Sequence, residues 1–124
     1  MPARGGRELQ EATREATSGG RRMTGAEQDE LRNAVAGDVF TDLLHRRLVA
    51  QDASPYRVVP QALVCPRDGE DCAALVTFAR ERGYTLVPRG GGTGLAGQCV
   101  GAGIVVDTSR YMNAVERFEP DRGT

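Results

Sequence analysis

The sequence of 124 residues predicts one small α+β domain built around a β-α-β unit. Three observations carry that prediction. Apolar runs at 62–65, 85–87 and 104–106 have the length of buried strands. An amphipathic stretch at 69–82 lies between the first two and asks for a right-handed crossover. Between the last two runs lies a glycine-rich segment that is too long for a tight hairpin.

Residues 1–23 are rich in Gly, Arg, Glu and Thr without apolar periodicity, and are expected to form a disordered extension. Order is expected from Thr24, since Thr24-Gly25-Ala26-Glu27 has capping-box spacing. Leu31, Ala34 and Val35 then share a helical face, and Gly37 is placed to end the helix. A second helical piece is expected over 42–49, with Leu43, Leu44 and Leu48 inward. Together 24–50 form a helical lead-in to the main unit, 51–124. Asp52-Ala53-Ser54-Pro55-Tyr56 reads as a loop.

The helix at 69–82 is the clearest element. Asp68 can cap it, Glu70 and Asp71 complement its dipole, and Gly83 stops it. Cys72, Leu75, Val76 and Ala79 repeat at i, i+3, i+4 and i+7, which predicts an inward stripe. Residues 114–118 alternate apolar and charged side chains and predict a last strand. Thr124, after the turn at 120–123, would begin its returning partner. The pattern predicts a chain truncated within its fold, the front part of something longer.

Composition removes several function classes. The formal net charge is −1, so no basic excess supports nucleic-acid binding. No apolar run approaches membrane-spanning length, and the N-terminus lacks the apolar core of a secretory signal. Cys65, Cys72 and Cys99 contain no C-x-x-C spacing, so reduced thiols in a cytoplasmic protein are expected, with no metal site.

The chemistry concentrates at Pro88, Arg89, Gly90, Gly91, Gly92, Thr93, Gly94, Leu95, Ala96, Gly97 and Gln98. Gly92 to Gly97 match the G-x-G-x-x-G pattern of dinucleotide-binding Rossmann folds. That pattern works by aiming a helix N-terminus at a pyrophosphate, and no helix fits between Gly97 and the strand at 104–106. A Walker A loop is excluded because the chain has no Lys. A phosphate-binding role survives. Successive glycines bare the backbone N–H groups for an anion, and Thr93 adds a hydroxyl. Arg89 either adds positive charge at the entrance or pins the loop to another part of the domain. The alternatives to a ligand loop are a plain surface loop, a silent fragment and a small nucleotide-binding module.

Asp52-Ala53-Ser54-x-Tyr56, Pro60, Val64-Cys65-Pro66, Glu70-Asp71, the Pro88–Gln98 loop and Val106-Asp107-Thr108-Ser109-Arg110-Tyr111-Met112-Asn113 fall in that order along the chain. Together they resemble the FAD-binding domain of the vanillyl-alcohol oxidase / p-cresol methylhydroxylase type, over roughly 38–124. The nearest branch is the FAD-linked dehydrogenases of D-lactate and glycolate. The resemblance implies the first of two FAD-binding subdomains, with the diphosphate on Arg89–Gln98. It implies oxidation of a small 2-hydroxy acid by hydride transfer to the flavin, and an electron acceptor in the full-length protein. That protein would lie in the cytoplasm or at the periphery of the inner membrane, without a transmembrane segment. The second subdomain and the catalytic residues would lie beyond Thr124, which leaves the 124-residue chain inactive alone. Members with covalent FAD carry His at the position of Thr93, so FAD is expected to be held non-covalently here. The single His45 reads as a solvated surface residue. Asp107 and Ser109 read as turn caps. For Asp52 and Tyr56, turn chemistry competes with orienting the loop or touching the flavin.

Overall fold

The computed structural model describes residues 21–123. Four strands form one mixed sheet in the order β1-β2-β4-β3. They are β1 (Asp38–Phe40), β2 (Ala62–Cys65), β3 (Leu86–Arg89) and β4 (Ile104–Asp107). The last three run parallel, and β1 closes one edge antiparallel to β2. Three helices accompany them: α1 (Gly25–Ala34), α2 (Leu43–Leu48) and α3 (Gly69–Arg82). The β-α-β unit read from the sequence is β2-α3-β3, with β4 inserted between its two strands.

Both faces of the sheet are covered, which explains the nearly unbroken apolar runs of β2 and β4. On one face Ala62, Val64, Ile104 and Val106 pack with Leu31 and Val35 of the α1 region and with Leu75 and Phe78 of α3. On the other, Leu63, Cys65 and Val105 pack with Val49 and, at the margins, Phe40 and Val87. α1 starts with the expected capping box: Glu27 N–H donates to Thr24 Oγ1 at 3.3 Å and Thr24 N–H to Glu27 Oε2 at 2.8 Å. Glu27 is buried and also takes Arg21 and the Tyr84 hydroxyl, at 3.0 Å for the latter. Arg21 first, then the Thr24 amide, lowers its carboxyl to about 2.

The structure corrects several expectations. The extension expected at 1–23 lies outside the described residues up to position 20. Beyond it, order reaches upstream of Thr24, because Met23 is part of the core. Gly37 does not end α1. The helix stops at Ala34, and the chain turns extended at Val35. The physical reason is Asp71. Its carboxylate accepts the N–H groups of Ala36 (2.8 Å), Gly37 (2.9 Å) and Arg67 (2.9 Å), drawing the chain into β1. Gly37 is needed for close approach instead, since a Cβ there would collide with the Cys65 carbonyl.

The three leucines of α2 point outward: Leu43 is 49%, Leu44 68% and Leu48 65% exposed. A helix of six residues can bury only one side. Arg46 and Val49 take that side, and Arg46 Nε donates to the Pro60 carbonyl at 2.6 Å. In α3 the inward stripe is Asp71, Leu75, Phe78 and Ala79, while Val76 is exposed. The Phe78 ring, stacked on Tyr84, decides that rotation. Asp68 caps α3 through the Asp71 N–H at 3.0 Å, and Gly83 ends it at φ +74° as expected. Residues 114–118 are not a strand, because their backbone finds no ladder partner among the described residues. Thr124 lies outside the described residues.

Burial pushes the Asp71 carboxyl up, but the backbone donors outweigh it and the net shift is downward. A lowered folded value means that this contribution is complete above the ordinary Asp range, about 3.9. It is lost as pH falls through the folded value. Asp71→Ala should therefore destabilise the chain at pH 7 by about 3 kcal/mol, since it strands buried N–H groups. The deficit should shrink below pH 4. Urea unfolding at pH 7 and pH 3 checks both statements, and an equal deficit at both would refute the linkage.

Candidate functional site

The glycine segment leaves the C-terminal end of β3 at Arg89 and returns to the start of β4 at Ile104. It contains bends and turns and no helix. The geometry that a Rossmann fingerprint needs is thus absent. Gly92 (φ +67°) and Gly97 (φ +81°) adopt left-handed backbone conformations that favour glycine.

Neighbouring contacts fix the loop's course. Arg89 Nη1 donates to the Gln51 carbonyl at 2.7 Å, and its guanidinium occupies the space where a Gly92 side chain would lie. Of the two sequence readings of Arg89, this contact is the pinning one. Opposite Gly94 lie Gln98 Oε1 and Asp52 Oδ2, 2.7 and 3.3 Å from where a Cβ would sit. The Tyr56 ring would stand 2.9 Å from a Cβ on Gly97, and Val87 closes on Gly101 in the same way. Gln98 Oε1 accepts the Ala96 N–H at 3.1 Å, so its amide braces the loop's own backbone.

Within the described residues, none of the backbone N–H groups of 90–95 donates a hydrogen bond. Gly90, Gly91, Thr93 and Leu95 are exposed, as is Pro88 at the loop's base. Unpaired, side-chain-free donors of this kind suit an anion with several oxygens.

The second wall of the site was only half visible in the sequence. Residues 51–57 fold as a tight turn, with Gln51 bridged to Arg57. Asp52 Oδ1 accepts the Ser54 N–H at 2.8 Å, and Ser54 Oγ accepts the Tyr56 N–H at 3.2 Å. The same turn touches the glycine loop through Gln51, Asp52 and Tyr56. Turn chemistry and loop orientation are therefore one arrangement. Of the other residues singled out in the sequence, His45 lies on α2, and Asp107 pairs with Arg89 at the base of the loop. His45 is more structured than a solvated residue: Nδ1 lies 2.7 Å from Asp42 Oδ2 and its ring stacks on Phe40 at 4.1 Å. Asp107 Oδ1 accepts both the N–H and the hydroxyl of Ser109, at 2.8 and 2.6 Å, which makes it the expected turn cap. No group of His, Cys, Asp or Glu among the described residues could hold a metal ion.

Residues 60–124 match the family model described as FAD binding domain. The chain is 39% identical over 90 residues to a D-2-hydroxyglutarate dehydrogenase of Escherichia coli (strain K12), a match covering 70% of this chain and 9% of that protein. It is 33% identical over 88 residues to the glycolate oxidase subunit GlcD of Bacillus subtilis (strain 168), covering 68% and 19% respectively. The chain thus spans a small part of the length of the relatives it matches. An alkyldihydroxyacetonephosphate synthase structure superposes on 81% of this chain and 23% of its own, with a TM-score of 0.69 and 21% identity, which shows a shared fold.

The residues present fit an FAD diphosphate. The glycines keep Cβ atoms out of the cradle, and the backbone N–H groups of 90–95 are unpaired among the described residues. The Arg89 clamp also makes a prediction. Arg89→Ala should speed chymotrypsin cleavage after the exposed Leu95 about fivefold, equivalent to about 1 kcal/mol of lost anchoring. Circular dichroism should stay unchanged. Equal cleavage rates in both proteins would show that the clamp does not hold the loop.

Proposed function

This chain belongs to the FAD-binding-domain family, and on that premise we propose that it holds the FAD diphosphate in a flavin-dependent oxidoreductase acting on a 2-hydroxy acid. The observation that carries the reading is the run of unpaired amides at 90–95 around the left-handed Gly92. The relatives named as acting on hydroxyglutarate and glycolate support the substrate class, since both names denote 2-hydroxy acids.

Each element has a distinct part in the binding. Gly90, Gly91, Gly92 and Gly94 bring backbone N–H groups to the diphosphate oxygens, and the Thr93 hydroxyl adds a donor. Pro88 sets the exit from β3. Arg89 keeps the loop against the 51–57 turn and leaves further N–H groups for the anion. Leu95, 77% exposed, offers apolar surface to the uncharged parts of the cofactor. Gly97 admits the Tyr56 ring, and Gln98 holds the loop's inner curve. When bound, FAD supplies the two-electron oxidation of the substrate's carbinol carbon. The proposal assigns no catalytic acid or base to this chain and sees the chain alone as inactive. The electron acceptor and the substrate meet the flavin in the complete protein. No helix of the described residues is long and apolar enough to cross a membrane.

The decisive measurement is flavin absorbance after desalting of the complete gene product. Gly92→Val adds a side chain at φ +67° and against the Arg89 guanidinium, and should abolish flavin retention in a soluble protein. Thr93→Ala should weaken FAD binding by about 1 kcal/mol. With Thr at 93, acid precipitation should release all flavin to the supernatant. Full flavin stoichiometry in Gly92→Val would remove the loop from the diphosphate site. Yellow colour left in the acid pellet would overturn non-covalent binding.

A further inference from the structure

We propose that Arg46 of α2, with Arg22 as a second cation, forms an anion site separate from the glycine loop, and that it takes a small oxyanion of the phosphate or carboxylate class. The inference does not depend on the FAD reading above.

Arg46 is a buried cation without a counterion. It is only 7% exposed, yet it forms no ion pair among the described residues. Asp42, the carboxylate that caps α2, is committed to His45: Oδ1 accepts the His45 N–H at 3.1 Å, and Oδ2 lies 2.7 Å from Nδ1. Removing a guanidinium from water costs free energy that an opposite charge normally offsets. Here burial, and after it the like charge of Arg22, push the Arg46 guanidinium below its ordinary range, against the weaker pull of Asp42.

The hydrogen bonds of Arg46 say which side of it is open. Nε donates to the Pro60 carbonyl at 2.6 Å, which fixes the inner edge of the guanidinium. Neither Nη group has a partner among the described residues. Asp52 Oδ2 is the only side-chain polar atom among those residues that is both unbonded and sealed from solvent. The Nη groups are therefore unbonded but reachable from outside. With Nε taken, the free edge is the end-on pair of Nη1 and Nη2, whose parallel N–H groups match two oxygens of one anion. Carboxylates and phosphates both present such a pair. A neutral ligand would leave the charge uncompensated, and a metal ion would be repelled. Pro60 stands just before β2, whereas the glycine loop leaves from the far end of the parallel strand β3. The two anion sites thus belong to opposite ends of the sheet.

The test uses the complete gene product loaded with FAD, so that the glycine loop is occupied. Inorganic phosphate and acetate are titrated into it in separate calorimetric runs. At least one should bind saturably, and the tighter one names the class. Arg46→Met keeps the apolar stem and removes the charge, and should weaken that binding at least about tenfold. Arg46→Lys restores a point charge without the fork and should recover part of the loss. Arg22→Gln changes an exposed residue, should also weaken binding, and decides the comparison should the Arg46 variants fail to fold. Flavin-free Gly92→Val should bind the anion with the wild-type constant. Absence of saturable binding by either anion in the wild type would overturn the proposal. So would one dissociation constant shared by the wild type and the arginine variants, or loss of the binding in Gly92→Val, since the anion would then sit elsewhere.

Discussion

The buried carboxylate of Asp71 is the constraint on which this fold turns. It sits at the first turn of α3 and gathers N–H groups from the α1–β1 junction and from the β2–α3 connection. Those contacts set where α1 stops, bring β1 beside β2, and fix the angle at which α3 leaves the sheet. Gly37 is the geometric partner of this arrangement, because only a residue without Cβ lets the chain pass the Cys65 carbonyl. One acidic side chain thus defines a corner where a helix, two strands and a second helix meet. Charge here organises backbone donors, with the Arg67 cation adding to their effect.

The position of the glycine loop follows from that corner. With α1 and α3 on one face, the second face is left to α2, the 51–57 turn and the return of the chain from β3 to β4. Because β3 and β4 run parallel, the connection after Arg89 must travel from one end of the sheet to the other, and it contains no helix. A glycine-rich segment accomplishes this, and the N–H groups of 90–95 stay unpaired among the described residues. The route that topology imposes is also the route that exposes donors to an anion.

Local signals in the sequence were legible and long-range ones were not. The capping box at Thr24, the Asp68 cap and the Gly83 stop involve residues within a turn of each other, and all appear as read. The parallel strands were visible because burial on both faces leaves continuous apolar runs. β1 has only three residues and exists through its pairing with β2, so nothing local marks it. The leucines of α2 misled because apolar side chains were assumed to face inward, whereas Arg46 buried its stem and satisfied the Pro60 carbonyl. At the candidate site, glycine spacing marked the segment that the structure places between β3 and β4. The contacts of Gln51, Asp52 and Tyr56 with that loop span about forty positions, and the fold decides between the readings that the sequence left open for Asp52 and Tyr56.

Pro88 has a consequence for solubility. It lies on β3, one border of the sheet. The Thr108 N–H donates inward to the Arg89 carbonyl at 3.0 Å, so the neighbouring Pro88 turns its nitrogen to the outside, where it has no hydrogen to offer. The opposite border, β1, is only three residues long. Neither margin can template a foreign strand over any useful length, and so the sheet is guarded against edge-to-edge polymerisation into fibrils.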